Sequence, residues 1–129
     1  MNVMKKVKTS RELADCIAQC ADSRKAEQIT FIELTGFSDV ADWFVICEGD
    51  NLAHNRAIAD AIIDGLNKRE ITAWHVEGMT EGRWIVLDYV DVVVHIMLSS
   101  VREYYTLEEL WPKAKVLRMD CHGDQRDAR

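Results

Sequence analysis

Two apolar segments, Arg83 to Tyr89 and Val92 to Leu98, are separated by only Val90-Asp91. A two-residue link between strand-like segments is a hairpin turn, so the two must pair antiparallel. Tyr89 then opposes Val92, Val86 opposes His95 and Trp84 opposes Met97. Side chains alternate across a strand, so one face of the pair carries Ile85, Leu87, Tyr89, Val92, Val94 and Ile96, a set suited to a core. The other carries Trp84, Val86, Asp88, Val93, His95 and Met97. That second set is too polar for a dry core and too apolar for a solvated face. It fits either a protein-binding patch anchored by Trp84 or a face that a helix covers.

Around this hairpin the periodicity assigns the other elements. Thr9-Ser10-Arg11-Glu12 is a capping box, and Leu13, Ile17 and Cys20/Ala21 recur at helical spacing over residues 10–24. Residues 28–34 are β-branched and apolar on both faces, which predicts a buried central strand. A second strand runs from Trp43 to Cys47. Asp50 or Asn51 caps a helix whose inner face is Ile58, Ala59, Ile62, Ile63 and Leu66. A third strand is expected over residues 72–76. Ser100-Val101-Arg102-Glu103 reads as a capping box opening a helical segment that runs to Trp111 and stops at Pro112. This order predicts an α/β fold, a single mixed β-sheet of about five strands with helices packed on it. Residues 1–112 form the expected domain and 113–129 a flexible C-terminal tail.

Composition narrows the function. Forty-eight per cent hydrophobic and 29% charged residues over 129 positions describe an ordinary globular domain. No run approaches the roughly 20 apolar residues of a membrane span, and no signal-peptide core follows the first residues, so a cytoplasmic protein is expected. Twenty-two Asp and Glu against 16 Lys and Arg leave a charge of -6. Direct nucleic-acid binding through phosphates needs a basic surface, whereas an acidic protein suits a basic protein partner.

The chemistry of known catalytic motifs is missing. There is neither a Gly-rich phosphate loop nor a Gly-x-Ser-x-Gly elbow. Cys16 and Cys20 share a helical face, Cys47 sits in an apolar strand, and Cys121-His122 lies about a hundred residues beyond the first pair. Reduced thiols without a metal are therefore expected. Asp88, Asp91 and His95 could form a divalent-metal or acid–base cluster. The structural reading has Asp91 holding the turn and His95 bonding across strands. His54, at a helix start, fits a local hydrogen bond.

Several motifs in fixed order resemble one family. They are Asp42-Trp43-Phe44-Val45-Ile46-Cys47-Glu48-Gly49, Ala57-Ile58-Ala59-Asp60, Glu77-Gly78, residues 84–95 from Trp84 to His95, and Arg102-x-x-Tyr105-x-Leu107-Glu108-x-Leu110-Trp111. Together they resemble the ribosomal silencing factor family, RsfS or Iojap, from about Leu13 to Trp111. The resemblance implies a mixed-sheet fold with nucleotidyltransferase-like topology, no enzymatic activity and no cofactor. It also implies binding to ribosomal protein fourteen of the large subunit, steric interference with subunit joining, lowered translation under nutrient limitation, and a homodimer when free. The contact residues expected on this basis are Trp84, Val86, Asp88, Tyr89, His95 and Met97. Four positions depart from the family pattern. Glu48, Asn51 and Leu52 stand where small hydroxyl residues are usual, and Val90 stands where the turn has Gly. A β-branched residue resists positive φ, so a wider turn with a slipped register is the alternative. From another functional class, a nucleotidyltransferase-like enzyme using Asp88 and Asp91 with a metal is the competing reading; Gly49-Asp50 lacks the Ser that such chemistry uses.

Overall fold

A computed structural model describes residues 7–119 and 125–127, the last three as backbone. In chain order the elements are α1 (Ser10–Ser23), β1 (Glu27–Glu33), β2 (Trp43–Gly49), α2 (Leu52–Asn67), β3 (His75–Glu77), β4 (Trp84–Asp88) and β5 (Val92–Leu98). They continue with α3 (Ser99–Tyr105), a 3-10 turn (Leu107–Glu109), β6 (Val116–Met119) and β7 (Gln125–Asp127). The strands form one mixed sheet in the order β3-β4-β5-β2-β1-β6-β7. Among the described strands only β2 and β5 run parallel, because α2 lies in the connection that leaves β2.

The sheet has an apolar layer on each face. Helices α1 and α2 close one side over Phe31, Trp43, Val45, Ile85, Leu87, Val92, Val94 and Ile96. On the other side α3, the 3-10 turn and the following loop cover Ile32, Phe44, Ile46, Val93 and Met97 with Val101, Leu107 and Ala114. Strand β1 therefore buries Phe31 on one face and Ile32 on the other, as a central strand should. Helices α1 and α2 approach so closely that a Cβ on Gly65 would sit 2.5 Å from the Cys20 sulfur. Any larger residue there requires the Cys20 sulfur to move aside.

The predicted caps divide. Thr9 Oγ1 accepts from the Glu12 amide at 3.1 Å, and Asn51 Oδ1 accepts from the His54 amide at 2.8 Å. The second capping box is not used. Helix α3 follows β5 directly, its N-cap is Leu98, and no side chain caps it. It also ends six residues early, at Thr106 in the left-handed region, because Arg102 reaches across that break to Glu108. Strand β3 is later and shorter than expected, since Ile71 is still bonded to the Leu66 carbonyl at the end of α2.

Among the described residues the sheet has seven strands rather than about five. The segment read as a tail supplies β6, which pairs antiparallel with β1 through Phe31–Leu117 and Ile32–Val116. Val116 and Leu117 are buried on opposite faces, one in each core.

The hairpin register is the two-residue one: Trp84 faces Met97, Val86 faces His95, and the Tyr89 amide donates to the Val92 carbonyl at 2.9 Å. Val90 accepts the strain, with φ of 70°. Its amide donates to Asp88 Oδ1 at 2.8 Å, so the side chain that holds the turn is that of Asp88. Asp91 works through its carbonyl, which accepts the amides of Asp42 and Trp43 at the start of β2. A left-handed non-glycine residue costs about 1–2 kcal/mol, against about 0.4–1 kcal/mol for glycine's freedom in the unfolded chain. Val90→Gly is therefore expected to stabilise the protein by about 0.5–1 kcal/mol. An unchanged or lower urea midpoint at constant slope counts against it.

Candidate interaction surface

The face of β4 and β5 away from α1 and α2 is only half covered, and an aromatic row occupies the open part. Trp84 and Val86 are half-buried there, at the first and third positions of β4. The Trp84 indole Nε1–H donates to His95 Nδ1 at 3.0 Å. Tyr105 also packs against Trp84, with ring centroids 4.8 Å apart, and Tyr104 packs edge-on against Tyr105 at 4.9 Å. Tyr104 is 80% exposed, Tyr105 50% and Leu110 60%. Between α3 and the loop before β4 lies a cleft of about 440 Å³, lined by Gly78, Thr80, Glu81, Arg83, Trp84, Val101 and Tyr105.

Beneath this row the packing is dense. His95 is 7% exposed and lies against Phe44 at 4.6 Å between centroids. Phe44 in turn meets the edge of Trp111 at 5.4 Å. Burial pulls the His95 pKa down to about 4, so the imidazole is neutral at pH 7. With Nδ1 accepting from the indole, the proton resides on Nε2, which has no partner among the described residues.

The structure therefore sorts the six expected contact residues. Trp84, Val86 and Asp88 share the half-open face. His95 lies on that face but beneath it. Tyr89 and Met97 present no contact surface. Tyr89 points to the opposite face and is buried in the core under α1 and α2, which pushes its hydroxyl up to about 12. Met97 is fully buried and packs in the second core with Val101 and Leu107. Tyr104, Tyr105 and Leu110 were missed because their exposure depends on how α3 is rotated. Trp74, 75% exposed beside edge strand β3, was missed as well; a lone Trp before a short polar strand was the available signal.

What fixes α3 is Arg102. Its guanidinium is buried and donates to the Gln28 carbonyl (2.8 Å), Glu48 Oε2 (3.2 Å), Thr30 Oγ1 (2.8 Å) and Glu108 Oε2 (2.9 Å). A bulge in β1 between Glu27 and Thr30, with Gln28 at φ of 52°, turns that carbonyl toward Arg102. Burial raises the Glu48 pKa even though Arg102 opposes it. Two residues of the Arg102–Trp111 motif are thus the clamp that sets the aromatic row.

Among the described residues, the polar and thiol groups on or near this face are held in structural roles. Asp88 is engaged with the turn amide. Burial pushes the Cys47 thiol up to about 12, far from the thiolate that a nucleophile requires. His54 bridges two loops, accepting from the Asp50 amide and donating to the Arg24 carbonyl, in keeping with a local structural bond. Among the described residues no group of three His, Cys, Asp or Glu side chains could hold a metal ion; Cys121 and His122 lie outside them. Nor is any described helix long and apolar enough to cross a membrane.

Fold and face together define a small α/β protein whose mixed sheet is sealed by two helices on one side and carries a half-open aromatic face on the other. The family model described as ribosomal silencing factor during starvation matches residues 7–129, which includes β6 and the segment beyond Pro112. The chain belongs to the RsfS family. It is 39% identical over 108 residues to the ribosomal silencing factor RsfS of Bacillus subtilis, covering 84% of this chain and 92% of that protein. It is 28% identical over 100 residues to the mouse mitochondrial assembly of ribosomal large subunit protein 1, covering 75% of this chain and 44% of that protein. A crystal structure from Chromobacterium violaceum superposes with a TM-score of 0.79 at 26% identity, covering 81% of this chain and 88% of the other.

Proposed function

We propose that this protein docks its aromatic face on the large ribosomal subunit, through ribosomal protein fourteen, and so hinders the small subunit from joining. The consequence is lowered translation when nutrients are limiting. The observation that carries this reading is the aromatic row of half-buried Trp84 and exposed Tyr105 and Tyr104. Large amphipathic rings held rigid at a surface are the side chains that dominate protein contacts. The mechanism is steric, acts in the cytoplasm, and needs no cofactor, metal, reacting group or direct reading of nucleic acid. The name of the mouse relative, which refers to large-subunit assembly, supports the choice of subunit.

Co-sedimentation with purified subunits tests it. Recovery with large subunits alone is expected; recovery with small subunits alone, or with neither, overturns the reading. The free protein is proposed to self-associate through its exposed apolar groups, and a monomer in sedimentation at tens of micromolar contradicts that.

The net charge of -6 gives a kinetic expectation. Steering toward a basic protein is screened over roughly 8–10 Å at moderate salt, whereas contacts already desolvated are not. Raising salt should slow association with large subunits far more than it speeds dissociation. A salt-insensitive on-rate in surface-based kinetics shows the charge to be irrelevant to encounter.

A further inference from the structure

We infer that His95 is the positioning residue of the docking face, a neutral acceptor that fixes the plane of the Trp84 ring and occupies its one polar group. The inference rests on the reading of the face proposed above and adds how the anchor is prepared for contact. Trp84 stands on β4, with Met97 of β5 opposite it and His95 one pair further along the same face. At such a diagonal position only a long side chain reaches its neighbour. The indole N–H can only donate. Left free at a surface that becomes dry on docking, it would need an acceptor from the partner or be buried unpaired, at a cost to the docked state.

His95 removes that demand. Its Nδ1 takes the indole proton donor at 3.0 Å, and its own ring cannot turn away, because it is buried against Phe44. Burial also keeps it neutral, and therefore able to accept. Tyr105 packs against the indole as well, with ring centroids 4.8 Å apart. The partner thus meets a Trp ring already held in one orientation, with no ordering left to do when contact forms.

The indole N–H resonance of Trp84, assigned by its loss in Trp84→Phe, reports the bond directly in 1H–15N spectra. His95→Leu should move that resonance and speed its exchange. The same variant should weaken recovery with large subunits about three- to tenfold, the effect of one hydrogen bond. His95→Asn places Oδ1 near the position of Nδ1 and should restore both. His95→Gln, whose acceptor sits one bond further out, should not, which keeps the comparison informative if the Leu variant melts early. An unmoved resonance in His95→Leu, or a moved one with unchanged binding, overturns the positioning role while leaving the docking reading intact. Failure of the unmodified protein to sediment with large subunits overturns both.

Discussion

Arg102→Met should cost about 3 kcal/mol of stability and take large-subunit binding down with it. Removing one member of a buried ion network leaves the others desolvated and unpaired, and such losses run at about 3–5 kcal/mol. The lower end applies here because Glu48 and Glu108 keep side-chain exposures of 18% and 28%. The loss has a pH signature. Burial already raises the Glu48 pKa against the pull of Arg102, and without the guanidinium it must rise further. A carboxyl whose folded pKa lies above its unfolded one stabilises the fold while protonated and loses that contribution as pH rises through the folded value. The gap between variant and native protein should therefore be widest near pH 7 and narrow as the pH falls toward 5. Adding Glu48→Gln and Glu108→Gln should recover part of the loss at pH 7. Urea unfolding at the two pH values is the measurement. A variant within 1 kcal/mol of the native protein at pH 7, or a gap that widens in acid, shows that Arg102 is not the clamp of α3.

The hairpin of β4 and β5 was legible because strict alternation and a two-residue link leave a single economical register. Val90 did not shift it: three pairs of buried apolar residues on the core face, Ile85–Ile96, Leu87–Val94 and Tyr89–Val92, outweigh about 1–2 kcal/mol of strain at one turn residue. Helices α1 and α2 were legible for a similar reason, each carrying an apolar stripe and a capping side chain. Strand β6 was not. Four residues after a proline give too short a pattern, and their partner, β1, lies more than eighty positions away in sequence. The break in α3 was equally hidden, since it goes with a bond between Arg102 and Glu108, six positions apart, which a continuous helix would place on different faces. The site divided along the same line. Trp84 and Val86 followed from alternation within β4, whereas Tyr104 and Tyr105 needed the rotation that Arg102 imposes. Met97 was misplaced because the sequence leaves open which part of the second face α3 covers.

Trp84→Glu should reduce large-subunit binding by more than tenfold and lower the melting temperature only modestly. The asymmetry comes from where the ring sits. Its neighbours in the chain, Ile85 and Leu87, carry the core under α1 and α2, and the substitution leaves them untouched. Trp84 itself is half-buried at the margin of the second core, so the fold loses the bond to His95 and part of the contact with Tyr105. Docking loses more. Truncating a Trp anchor often costs ~2 kcal/mol or more, which at about 1.4 kcal/mol per tenfold exceeds an order of magnitude in affinity. A carboxylate in its place must also be desolvated against the partner. Trp84→Phe separates the contributions: it keeps an aromatic ring against Tyr105 while losing the indole N–H, and should bind between the native protein and Trp84→Glu. Melting and co-sedimentation measured on the same samples decide the matter. If Trp84 were chiefly a core residue, stability and binding would fall in parallel across the two variants. A well-folded Trp84→Glu protein that still sediments with large subunits and still blocks subunit joining removes Trp84 from the contact altogether.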